Sequence, residues 1–111
     1  MTQLEAMALT WVLEVPIALL VTRRRDLRLI IVVCLCTMLT HPFVWAVGTH
    51  VPREIWWPAI FVTEGVVGVV EGLLLWRLVP LGFQRALICG VLMNAFSFAV
   101  GLALSAAGAT G

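Results

Sequence analysis

Long apolar runs broken by short polar clusters make up the chain. Four of them, residues 4–22, 27–48, 55–79 and 83–107, have the length of about 20 mostly apolar residues that a helix needs to cross a hydrocarbon core. The connections are brief: an arginine cluster, then Gly48-Thr49-His50-Val51-Pro52, then Pro80-Leu81-Gly82. Connections this short force neighbouring helices to run antiparallel. The pattern therefore predicts an all-α, integral membrane four-helix bundle forming a single membrane domain over residues 1–111. Trp56 and Trp57 open the third run and Trp76 closes it, as expected of indoles at the two membrane interfaces. The first run lacks the basic leader of a secretory signal, contains Glu5 and Glu14 and is followed at once by arginines, so it reads as a mature span.

Composition excludes a soluble domain: 62% of residues are hydrophobic and the mean hydropathy is +1.09. Charge placement adds orientation. All seven basic residues are arginines. Arg23, Arg24, Arg25 and Arg28 flank the first connection and Arg77 and Arg85 the third, leaving only Arg53 at the second. The excess of positive charge on one side predicts cytoplasmic first and third connections, both termini outside, and insertion in a single orientation. Arginine without lysine, among abundant Val, Leu and Ala, fits a GC-rich bacterial genome and hence a bacterial inner membrane. The arginine cluster reads as a topology anchor that could also touch anionic headgroups. Cys34, Cys36 and Cys89 lie inside the apolar runs without redox or zinc spacing and read as small buried apolar side chains.

The polar residues within the spans carry the chemistry. Glu14, Glu64 and Glu71 each sit where an ionisable group costs about 2.5–3.5 kcal/mol at a helix centre, which marks them as functional candidates. Thr37, Thr40 and His41 share one stripe of the second helix, and Gly90, Asn94, Ser97 and Gly101 one stripe of the fourth. These stripes must face inward, because hydrocarbon offers no hydrogen-bond partner. Glu64 and Glu71 lie about 10 Å apart along their helix, so one polar layer about 10 Å thick accommodates the set. Pro16 and Pro42 are expected to free a backbone acceptor beside that layer. Gly68 and Gly72 form a small-xxx-small pair for close helix approach. An offset of 57 residues aligns Glu14 with Glu71, Arg28 with Arg85, Thr37 with Asn94 and Thr40 with Ser97. The two halves then read as parallel helical-hairpin repeats about an axis along the membrane normal, an arrangement that places sites at the repeat interface.

Three chemistries follow. Glu14, Glu64, Glu71 and His41 can carry protons or a cation, with Thr37, Thr40, Asn94 and Ser97 in support. His41, Glu64 and Glu14 can instead ligate a divalent metal ion, the one cofactor these ligand types suit, although ExxH and HExxH signatures are absent. Or the polar groups simply hydrogen-bond across helices and fix the packing. The corresponding functions are proton- or metal-cation-coupled transport, a membrane-embedded metal-dependent enzyme, and an accessory subunit of a larger membrane complex. Expected partners are the lipid bilayer and either further copies of the chain or a larger complex, with no nucleic acid.

With Glu14 in the first of four short spans, the chain resembles, in architecture alone, the small multidrug resistance antiporters, which work as antiparallel dimers around a first-helix glutamate. Its added Glu64, Glu71 and His41 and its arginine bias depart from that pattern. Thr40-His41-Pro42 in the second span, glutamates in the first and third, and Asn94-Ala95-Phe96-Ser97 in the fourth more closely resemble small polytopic bacterial membrane proteins of uncharacterised function. That resemblance covers most of the chain and implies a membrane bundle but no activity.

Overall fold

The structure, a computed structural model, describes residues 2–106. Four helices carry nearly all of it: α1 (Gln3–Thr22), α2 (Leu27–His50), α3 (Trp56–Leu78) and α4 (Phe83–Ala106), with a 3-10 turn at Arg53–Ile55 before α3. All four are long and apolar enough to cross a membrane, the architecture of a multi-pass membrane protein. The predicted spans agree to within one or two residues; residue 107, the predicted end of the last, lies outside the described residues. The long dimension of 41 Å exceeds a hydrocarbon core of about 30 Å.

Local chemistry sets the ends. Thr2 accepts the Glu5 N–H at 3.1 Å and its hydroxyl meets the Glu5 carboxylate at 3.2 Å, a reciprocal pairing that starts α1. Arg23 ends α1 with a left-handed backbone, φ 57°, a conformation that costs a residue with a Cβ. Asp26 precedes α2 but leaves the helix N–H groups uncapped, because its side chain is taken by Arg24. The Arg24 hydrogen bond holds this exposed carboxyl below its ordinary range.

The helices form a ring in chain order, α1 beside α2 and α4, α3 beside α2 and α4. Across the diagonals, no Cα of α1 comes within 8 Å of α3, nor of α2 within 8 Å of α4. What fills the middle differs between the two ends. At the end holding Arg23–Arg25 and Pro80–Gly82, Ala18, Leu29, Val32, Val33, Cys36, Leu75, Val79, Ala86, Cys89 and Met93 form a closed apolar core. Cys36 and Cys89 thus take the apolar role expected of them. At the other end, where α1 begins and α4 ends, the middle is open.

Glycines fix the tightest pair. A Cβ on Gly72 would stand 2.8 Å from the Leu87 Cα, and one on Gly90 would stand 2.6 Å from the Gly72 Cα and 2.7 Å from the Gly68 carbonyl. The backbones of α3 and α4 are therefore in direct contact. Residues 57 earlier in the chain are Trp11, Val15 and Val33, so the α1–α2 hairpin has no such seam. The Trp11 indole instead bridges α1 to α2 through the Cys34 carbonyl, 3.3 Å away.

Two expectations change. Pro16 and Pro42 are exposed, and Val12 and Met38, whose carbonyls they release, also face outward. They add nothing beside the polar layer. Trp57 and Trp76 do face outward, but Trp56 turns into the bundle and donates to the Gly48 carbonyl at 3.0 Å.

Candidate functional site

A cavity of about 400 Å³ occupies the open half of the bundle, with walls from all four helices. The sequence placed Glu14, Glu64, Glu71, His41, Thr37, Thr40, Asn94 and Ser97 in one layer, and all eight line this cavity. Glu14 and Glu71 are completely buried beside the apolar core, with 0% and 1% of their surface exposed. Glu64, one helical stretch nearer the mouth, is half-buried.

Their partners are mostly hydroxyls. Thr37 Oγ1 lies 2.6 Å from Glu14 Oε1, and Ser97 Oγ 3.4 Å from Glu14 Oε2. Thr40 Oγ1 lies 3.1 Å from Glu71 Oε1. Each hydroxyl also lies near a backbone carbonyl of its own helix: Thr37 near Val33 at 3.2 Å, Thr40 near Cys36 at 2.9 Å, Ser97 near Asn94 at 3.1 Å. A hydroxyl has one proton to donate and lone pairs to accept with. Facing a carboxylate, it donates to that group. Facing a protonated carboxyl, it accepts the acid proton and turns its own to the carbonyl. At both oxygens of Glu14, and at Oε1 of Glu71, a hydroxyl rotation serves either charge state.

The 57-residue offset has a structural counterpart. Glu14 on α1 meets Ser97 on α4, and Glu71 on α3 meets Thr40 on α2. These two contacts exchange under Glu14 to Glu71 and Thr40 to Ser97. The second contact of the set does not repeat. Glu14 receives Thr37, but Asn94, which corresponds to Thr37, donates instead to the Glu64 carbonyl at 2.5 Å and to Glu64 Oε2 at 2.6 Å. Glu64 corresponds to Met7, so nothing in the first half competes for Thr37. The consequence is visible at Glu71: its Oε2 is buried without a hydrogen-bond partner.

His41 stands apart. It stacks on Trp45, with ring centroids 6.2 Å apart, its Nδ1 is buried without a partner, and no hydrogen bond joins it to a glutamate among the described residues. Nor do any three His, Cys, Asp or Glu side chains among the described residues converge as a metal site would require. The set His41, Glu64 and Glu14 therefore does not form the ligand cluster that the metal reading needs, because His41 packs against an indole rather than a carboxylate. Sequence reasoning missed the walls: Trp45 and Trp56 both line the cavity. The spacing of Trp45, one turn after His41 on the same stripe, was the available signal. Comparison with protein families, curated proteins and solved structures finds no match.

Proposed function

We propose that this protein is a proton- or cation-coupled transporter of a bacterial inner membrane, with Glu14, Glu64 and Glu71 as the loading groups. One observation carries the reading: three carboxyl groups line a cavity open at one end, and no arginine is among its lining residues to neutralise them. Intramembrane carboxylates that face a cavity are the usual substance of ion pathways. The hydroxyl partners support it further, since a loading group must be stable both charged and neutral. The missing three-ligand cluster favours protons and singly charged cations over a divalent metal, and removes the support for a metal-dependent enzyme.

The arginine excess at the closed end gives the orientation. Residues 23–26 and 79–82 face the cytoplasm, both termini lie outside, and the cavity opens outward. Passage then requires the apolar core to part on the cytoplasmic side. The test is reconstitution in liposomes holding a pH-sensitive dye. An imposed proton gradient should collapse faster than in empty liposomes, and Glu71→Gln should slow that collapse at least tenfold. Collapse no faster than in empty liposomes, from well-folded protein, overturns the reading.

A further inference from the structure

Resting on the reading of these carboxylates as a cation site, we propose that the cavity binds a protonated organic amine whose apolar body lies along its walls. The deciding atom is Glu71 Oε2. It belongs to a cavity-lining residue that is 1% exposed and is itself buried without a partner, whereas the other glutamate oxygens named above are held by Thr37, Ser97, Thr40 and Asn94. A buried acceptor left unpaired is costly, and a ligand N–H donor would relieve that cost.

The walls say what else that donor must be. Leu13, Val44, Ile60, Val67, Phe98 and Trp45 line the same cavity as Glu71. A hard inorganic cation replaces its hydration with about six or more oxygens; the hydroxyls of Thr37, Thr40 and Ser97 and the Asn94 amide are already engaged with the glutamates, and these apolar side chains add no further oxygen. An alkyl- or arylammonium needs few: its N–H groups reach Glu71 and its neighbours while carbon packs against carbon. The cavity volume of about 400 Å³ falls within the ~300–1,000 Å³ typical of small-molecule sites, which are mostly apolar with a few placed polar groups. Trp45 adds a ring face that attracts a cation. No arginine lines the cavity to repel it.

The probe is 2-phenylethylammonium, titrated calorimetrically into detergent-solubilised wild-type protein beside 2-phenylethanol, a neutral molecule of nearly the same shape. The amine should bind saturably and at least tenfold more tightly than the alcohol. Glu71→Gln should lose at least tenfold in amine affinity, and Glu54→Gln, at the exposed rim, should lose none. Equal affinity for amine and alcohol overturns the proposal, as does undiminished amine binding by a folded Glu71→Gln protein. If that variant does not fold, the comparison of the two probes on the wild type decides. Proton flux in liposomes separates the two readings. Flux that depends on Glu71, without amine binding, overturns the ligand class and leaves transport standing; amine binding without flux does the reverse.

Discussion

At the scale of single residues, the polar layer combines side chains that adapt with one that is unfinished. Thr40 should stabilise the fold through Glu71, not merely through its own helix. Thr40→Val should cost about 1 kcal/mol in denaturant unfolding from micelles, the usual size of an interhelical hydrogen bond in membranes. In a Glu71→Met background the same change should cost far less, and a double-mutant cycle reads the difference directly. Outside the spans, Asp26 couples protonation to stability. Its carboxyl is held low by Arg24, so the pair's small contribution is present at neutral pH and is lost as pH falls through the acid range. Carboxyl NMR titration should place Asp26 below an ordinary aspartate, and Arg24→Gln should return it upward. Much of this layer was legible from spacing alone. Glu14, Thr37, Thr40, Asn94 and Ser97 announced themselves because a polar side chain in lipid has only one direction to face. Which glutamate Asn94 would choose was not legible: Glu64 and Glu71 lie on one stripe, and backbone geometry decides between them.

At the scale of elements, glycine placement makes the two hairpins unequal. Gly90 sits against Gly68 and Gly72, so Gly90→Leu should force α3 and α4 apart and lower stability beyond the ~1–3 kcal/mol of ordinary overpacking. Gly65, on the facing helix α3, is the control: nothing lies within 4 Å of a Cβ built there, and Gly65→Ala should be neutral or slightly stabilising. Thermal unfolding in detergent compares the two. The helix limits were readable to within one or two residues because charged and turn-forming residues bound every apolar run. The function of the prolines was not. Sequence placed Pro16 and Pro42 near the polar residues in number, but a difference of one or two positions turns a side chain through 100° or more to another face of the helix.

At the scale of the whole molecule, the ring of helices is closed by hydrocarbon at one end and hollow at the other. That division should appear as one-sided chemistry. Gly101 lines the cavity with open space around it, so Gly101→Cys in a Cys34→Ala chain should react with a membrane-impermeant maleimide only from the side of the termini. Cys36 and Cys89, sealed in the core, should remain unlabelled from either side. The polar residues of the lining were legible in the sequence, but the hollow itself was not, since Leu13, Val44, Ile60 and Val67, which also wall it, are as apolar as the side chains that fill the opposite end. The unpaired oxygen of Glu71, finally, belongs to neither half alone. A bundle made from two copies of residues 3–50 would give each Glu14 its own Thr37 and the other copy's Thr40, and every carboxyl would be saturated. Such a protein would be well knit and chemically mute. By diverting Asn94, Glu64 leaves the chain with two dissimilar acids at corresponding positions, one anchored on both oxygens and the other with a hand free.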